Sequence, residues 1–238
     1  MKILVTGGLG YIGSHTVVEF INNNYEVVII DNLSNSELYI LDNIEKITGV
    51  RPIFYNQDLL DFIKTNQIFK KEKIKGIIHF AAFKSVPESI KKPLLYYKNN
   101  LLSLINLLKS MEENTVSNIV FSSSCTVYGQ PDKLPVSESS PFKNAESPYA
   151  KTKQISEQII KDFAISNNNI SSVSLRYFNP VGAHDSALIG ELPKGVPNNL
   201  VPYITQTAAG IREGLSVFGK DYNTHDGTAI RDYIHIED

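Results

Sequence analysis

The stretch Ile3-Leu4-Val5-Thr6-Gly7-Gly8-Leu9-Gly10-Tyr11-Ile12-Gly13 decides the fold. Its first residues are a short apolar run with the branched side chains of a buried strand. Gly7, Gly10 and Gly13 follow at three-residue steps, with Gly8 as a further flexible position, and a segment of helical spacing covers residues 11–21. A strand that turns through glycines into a helix leaves backbone N–H groups aimed at an anion above the helix N-terminus, a cradle suited to pyrophosphate. The spacing is G-x-x-G-x-x-G, unlike the G-x-G-x-x-G of ordinary dehydrogenases. A second apolar run, residues 27–30, ends on Asp31, 18 residues beyond Gly13 and close to the distance at which an acid meets the ribose hydroxyls. Asp31 would repel a 2′-phosphate, and Asn32 rather than an arginine follows it, so the pair favours NAD over NADP. Asp58, after the third apolar run, can meet an adenine edge or equally cap the next helix.

Outward from this loop the pattern repeats. Apolar runs at residues 3–5, 27–30, 53–55, 77–80, 119–121 and 173–177 read as buried strands. Segments of helical spacing at 11–21, 61–71, 93–111 and 148–164 lie between most of them. Alternating strand and helix give an α/β fold, a Rossmann-type doubly wound parallel sheet. Beyond Phe178 the texture changes to proline- and glycine-punctuated loops with one helix near 201–213. The expected division is a dinucleotide-binding domain over 1–178 and a smaller, incomplete C-terminal substrate domain over 179–238. The asparagine runs at 22–24 and 167–169 read as exposed turns.

Composition excludes several classes. Lys+Arg 23 against Asp+Glu 25 gives a net charge of −2, with no excess to hold nucleic acid. No apolar run approaches the ~20 residues of a membrane span, and no signal-peptide core opens the chain. One cysteine, Cys125, allows neither an internal disulfide nor a thiolate metal site, which fits a reducing, cytoplasmic setting. No metal site is expected, since His79 and His235 lack ligand spacing and read as structural histidines.

Tyr149 and Lys153 lie four apart on one face of the helix over 148–164. An ammonium beside a phenol favours the phenolate and lowers its pKa from near 10, which would make Tyr149 an acid–base group. Chance supplies roughly one such pair in a chain of this composition, so placement carries the case. The helix follows the strand at 119–121, whose end bears Ser122, Ser123 and Ser124, and hydroxyls at the carboxyl end of a central strand face the cofactor crevice.

The glycine loop, His79-Phe80-Ala81-Ala82-Phe83-Lys84, Ser122-Ser123-Ser124 with Val127-Tyr128-Gly129, and Tyr149-Ala150-Lys151-Thr152-Lys153 together resemble the extended short-chain dehydrogenase/reductase family. Within it they are most similar to the NAD-dependent epimerases of UDP-sugars. The resemblance continues through Arg176-Tyr177-Phe178-Asn179-Pro180-Val181-Gly182-Ala183, Pro197-Asn198-Asn199-Leu200 and Asp226-Gly227-Thr228 to Arg231-Asp232-Tyr233-Ile234-His235. It implies interconversion of UDP-galactose and UDP-glucose, in which Tyr149 exchanges a proton with the sugar 4-hydroxyl, Ser124 orients or relays that proton, and Lys153 holds the nicotinamide ribose. Hydride would pass from C4 to NAD and back to the opposite face.

Carried over by position, Gly7, Gly10, Tyr11, Ile12 and Gly13 would contact NAD, as would Asp31, Asn32, Asn35, Asp58 and Leu59. Phe80, Ala81, Ala82, Lys84, Asn99 and Phe178 complete that set, with Tyr149 and Lys153. The UDP-sugar would meet Lys84, Ser124, Tyr149, Asn179, Asn199, Leu200, Ser216, Phe218 and Arg231, the last through a guanidinium suited to pyrophosphate. Apolar faces on the helices at 93–111 and 148–164 would pack between two subunits of a homodimer. The family also implies roughly a hundred further residues of substrate domain, so the 238-residue chain reads as C-terminally truncated, retaining NAD but holding UDP-sugar weakly. Cys125 stands where the family more often has a small residue.

Rival readings are other nucleotide-sugar epimerases, acting on UDP-GlcNAc or a UDP-uronate, and a non-catalytic NAD-binding regulator. A 4,6-dehydratase needs an Asp-Glu pair after the serine, where this chain has Cys125-Thr126.

Overall fold

The computed structural model describes residues 1–238. Strands and helices alternate in the order β1 (Lys2–Thr6), α1 (Tyr11–Asn22), β2 (Glu26–Asp31), α2 (Tyr39–Thr48), β3 (Ile53–Asn56), α3 (Phe62–Glu72) and β4 (Gly76–His79). There follow α4 (Val86–Lys91), α5 (Pro93–Glu113), β5 (Asn118–Ser122), a 3-10 turn over Cys125–Tyr128, α6 (Pro148–Ser166) and β6 (Ser171–Leu175). The remainder carries β7 (Asn179–Val181), α7 (Leu200–Ala208) and β8 (Tyr233–His235).

The first six strands form one parallel sheet in the order β3-β2-β1-β4-β5-β6. Chain order reverses between β1 and β4, and ligands of such sheets bind outside the strand carboxyl ends at that reversal. Thr6 is in register with His79 and His79 with Phe121, so the loops after β1, β4 and β5 emerge side by side.

Alternate residues of a strand face opposite sides, and the core divides accordingly. On one face Ile3, Val5, Val27 and Ile29 pack with Val17 and Val18 of α1 and Ile40, Leu41 and Ile44 of α2. On the other, Leu4, Val28, Ile30, Ile77 and Ile119 pack with Phe69 of α3, Leu104, Leu107 and Met111 of α5, and Ile160 of α6. Burial of a large aliphatic side chain is worth about 1.5–3 kcal/mol, so these two layers fix the sheet against its helices.

Two sequence expectations need correction. Residues 53–55 and 173–177 do not behave as buried strands: β3 and β6 are the sheet edges, and Val173 is 53% exposed. An edge strand has one neighbour, and here its outer surface is uncovered. The helix expected over 201–213 is Leu200–Ala208, closed by a turn in which Gly210 takes φ +74°. Helices α2 and α4 and the parallel pair of β7 with β8 were not foreseen. No helix is long and apolar enough to cross a membrane.

Candidate active site

The glycines are required by contact. Gly7 has φ +68°, and a Cβ there would stand 2.9 Å from the Ala81 nitrogen. A Cβ at Gly13 would come within 2.2 Å of the Gly7 carbonyl oxygen. Gly10 takes the N-cap position of α1 without offering a side-chain acceptor, and the first turn holds no acid. The first amides and the positive end of the helix dipole are therefore left for an anion from outside the chain.

Asp31 is 8% exposed. Its Oδ2 accepts from the Leu9 amide at 3.1 Å, while Oδ1 accepts from the Leu33 amide at 3.0 Å and Ser36 Oγ at 2.7 Å. Asn32 donates to Asp58 Oδ2 at 3.1 Å, and Asp58 Oδ1 accepts from the Leu60 amide at 2.8 Å. The cap of α3 is Asp61, so Asp58 serves the rim beside Asn32. Asn35 is exposed on the same rim, whereas Leu59 is buried in the core. Ile12 lies half-buried in the first turn of α1. Across the reversal, Phe80, Ala81 and Ala82 are half-buried after β4, with the Phe80 amide donating to Thr6 O at 3.1 Å. A dinucleotide fits these groups: an open helix end for the pyrophosphate, a cradle that any Cβ would fill, and an anchored carboxylate 18 residues beyond it.

The acid–base candidates gather at the end of β5. Ser147 caps α6, accepting from the Ala150 amide at 3.1 Å, and Pro148 occupies the first turn, where its missing N–H costs nothing. Lys153, one turn beyond Tyr149, is 4% exposed and donates to the Ser122 carbonyl at 2.6 Å. Burial lowers its pKa to about 8, against the charge of Glu157, which raises it. Its Nζ lies 5.8 Å from the centre of the Tyr149 ring. Burial raises the Tyr149 pKa, opposed by its hydrogen bond with Ser124. The lowering by Lys153 expected from sequence is thus absent: loss of water around the phenol is the largest influence, and Ser124, not Lys153, is the group that opposes it. Ser124 Oγ accepts from the Thr126 amide at 3.2 Å and from Thr126 Oγ1 at 3.0 Å, which aims its own proton elsewhere. His79 pairs with Thr6 Oγ1 at 2.7 Å, a structural histidine as read from sequence.

The sequence of residues 3–238 matches the NAD dependent epimerase/dehydratase family. The chain belongs to that family. It is 52% identical over its whole length to the UDP-glucose 4-epimerase of Pasteurella multocida, covering 70% of that protein. The solved UDP-glucose 4-epimerase of Bifidobacterium longum, in complex with NAD+ and UDP, superposes with a TM-score of 0.97 at 45% identity, over 100% of this chain and 71% of that one. The Stenotrophomonas maltophila enzyme, with bound NAD and formylated UDP-arabinopyranose, gives 0.96 at 48% identity, over 100% and 70%.

In this epimerase/dehydratase family member the other expected ligand residues are drawn together unevenly. Glu191, which sequence reading missed, accepts from Lys84 Nζ at 3.3 Å and Asn199 Nδ2 at 2.5 Å. Its charge, after burial, helps raise the Tyr11 pKa to about 12. Tyr11 donates to the Gly182 carbonyl at 2.8 Å. Asn179 donates to the Asp232 carbonyl at 2.7 Å, which brings the last segment beside β7, and Arg231 and Asp232 lie close enough to act on the Cys125 thiol. Asn99 donates to Asn100, a second residue missed, whose amide brackets the Phe83 backbone at 2.9 and 3.0 Å. Phe178, Leu200, Ser216, Phe218 and Arg231 are exposed, and neither Ser216 nor Phe218 hydrogen-bonds to Ser124, Tyr149 or Lys153. No local motif marks Glu191 or Asn100; only their partners do.

Proposed function

We propose that the chain works as a UDP-glucose 4-epimerase, interconverting UDP-galactose and UDP-glucose with NAD as its cofactor, an isomerase reaction of galactose metabolism. The observation that carries the reading is the junction of β5 and α6, where Ser124, Tyr149 and Lys153 converge, on the sheet whose β1, one strand removed across β4, ends in the glycine cradle. The chemistry NAD supplies when bound is reversible uptake of a hydride from sugar C4, whose return to the opposite face inverts that carbon without net oxidation. Tyr149 takes the proton of the 4-hydroxyl and gives it back. Ser124, its acceptor side occupied by Thr126, donates toward the same oxygen. Lys153, anchored on the Ser122 carbonyl, presents the remaining ammonium protons to a ribose and supplies charge beside the phenol.

Gly7, Gly10 and Gly13, with Asp31, Asn32 and Asp58, form the proposed cofactor side. Lys84, Asn179, Asn199 and Arg231 form the proposed substrate side, within a substrate-binding portion over residues 179–238 that follows a cofactor-binding portion over 1–178. A dehydratase reading lacks support, because Thr126 is bound to Ser124 and burial raises the Cys125 thiol pKa, leaving no acid–base pair there. The exposed Leu94, Leu95, Leu102 and Ile105 of α5 support association into a homodimer through that face. A single cysteine supports a cytoplasmic setting.

Incubation of the chain and NAD with UDP-galactose, followed by separation of the two UDP-sugars, tests the reading. UDP-glucose should accumulate, and Tyr149→Phe should slow it by about 10²–10⁴-fold while NAD stays bound. Near-normal turnover by Tyr149→Phe would refute the assignment of the phenol.

A further inference from the structure

Tyr149, Lys153 and Glu157 follow one another at four-residue steps along one face of α6. Opposite them stand three consecutive serines, and each takes one helix residue. Ser124 faces the Tyr149 phenol, the Ser122 carbonyl accepts from Lys153 at 2.6 Å, and Ser123 Oγ donates to Glu157 Oε1. The first two rungs contain the groups already assigned to chemistry. The third is unassigned, and its side chain is only 10% exposed.

Glu157 is held from the other side by Arg176, which donates through Nε to Oε1 at 3.0 Å and through Nη2 to Oε2 at 2.8 Å. Arg176 is itself fixed: Nη1 donates to the Tyr128 hydroxyl at 3.0 Å, and the guanidinium lies 5.1 Å from the Tyr128 ring centre and 4.9 Å from that of Phe142. A buried ion pair of this kind is often no more stabilising than apolar side chains of the same volume, so packing alone does not call for it.

We propose that Glu157 is a positioning residue for the acid–base pair: clamped by Arg176, it fixes the end of β5 through Ser123 and keeps Lys153 as an ammonium beside Tyr149. Ser123 spends its one proton on Glu157, and Ser124 is the serine that hydrogen-bonds with the phenol. The surroundings of Lys153 supply no other anion. On β5 it meets the Ser122 carbonyl and the Phe121 ring, 4.8 Å away; on α6, Tyr149 and Glu157; on β4, His79, which burial holds neutral with a pKa of about 3. Glu157 in turn faces Ser123 from β5, Lys153 from its own helix and Arg176 from the segment after β6. Glu157 is therefore the one carboxylate that opposes desolvation of Lys153.

The inference rests on Tyr149 and Lys153 being the acid–base pair, but its test needs no substrate. The signal of Lys153 in isotope-labelled lysine, identified by its loss in Lys153→Arg, is followed through pH by NMR in the whole chain. Glu157→Gln keeps the shape and an acceptor for Ser123 while removing the charge. Its Lys153 should titrate about one pH unit lower than in the parent. Arg176→Met leaves Glu157 without its counter-ion and should move the titration upward. In turnover, Glu157→Gln should lower kcat with NAD affinity retained, and the alkaline limb of its pH profile should shift downward with Lys153. An unchanged Lys153 titration in folded Glu157→Gln, or shifts of the same sign in both variants, would overturn the proposal. Should Glu157→Gln fail to fold, the Arg176→Met arm decides alone, and no upward shift there overturns it. Loss of epimerisation in the parent with the opposed titration shifts intact would instead count against the proposed function.

Discussion

The backbone amide of Leu9 donates to the carboxylate of Asp31 at 3.1 Å, tying the glycine loop to the end of the neighbouring strand. The acid that would bind a ribose is thus also a structural member of the loop that would bind the pyrophosphate. Its other oxygen holds Leu33 and Ser36 in place on the adenosine side.

Asp31→Ala should therefore affect two properties at once. Two amides and a hydroxyl lose their acceptor, which costs about 1–3 kcal/mol of stability, and NAD affinity should fall about tenfold or more. Denaturant unfolding and calorimetric titration with NAD measure the two effects. Unchanged stability would show the Leu9 contact to be dispensable.

Gly13→Ala tests the cradle. The new Cβ would press on the Gly7 carbonyl oxygen, a backbone atom that cannot yield without reshaping the loop, so a loss of about 3 kcal/mol is expected together with NAD binding. Gly10→Ala, whose Cβ would lie 3.2 Å from the same oxygen, should cost less than half as much. Equal melting temperatures for the two variants would contradict this ranking.

Lys153 should make stability depend on pH in the alkaline range. Its folded pKa of about 8 lies below the ordinary 10.5, so between these values the unfolded chain binds more protons and stability rises with pH. The burial cost of about 3 kcal/mol is present in full below pH 8 and relieved toward pH 10.5. Lys153→Met removes that dependence, so the parent should gain on the variant from pH 7 to pH 10 in paired denaturant titrations. A constant difference would mean that Lys153 titrates normally.

His79 acts at the acid end. Burial, helped by the charge of Lys153, lowers its pKa from 6.5 to about 3, so the stability it contributes is present above pH 6.5 and is lost as the pH falls toward 3. About 2 kcal/mol should be gone by pH 5. His79→Gln, which has no proton to gain, should flatten that slope even if less stable at pH 7. A parallel acid profile for parent and variant would assign the loss to other groups.

Where a feature depended on neighbours in the chain, it was legible. The strand, glycines and helix of residues 3–21 are adjacent, and Gly10 and Gly13 are forced by atoms of Gly7 and Gly8 a few positions away, although Gly7 is crowded by Ala81 from the loop after β4. Tyr149 and Lys153 share a face because a helix brings residues four apart together. Helix α2 left a signal in Ile40, Leu41 and Ile44, all buried, but Leu38 supplies no side-chain cap to announce its start. Helix α4, only six residues long, is too short for periodicity to register.

The sequence by itself determined the alternation of strand and helix, the open end of α1 and the spacing of Tyr149 with Lys153, because local backbone geometry and side-chain periodicity suffice for these. Tertiary structure alone decided that Glu191 meets Lys84 and Asn199, that Ser123 and Arg176 share Glu157, and that burial raises the Tyr149 pKa. The physical reason is that a hydrogen bond between distant residues and the loss of water around a buried group exist only once the sheet has brought its loops together, and no spacing along the chain encodes either.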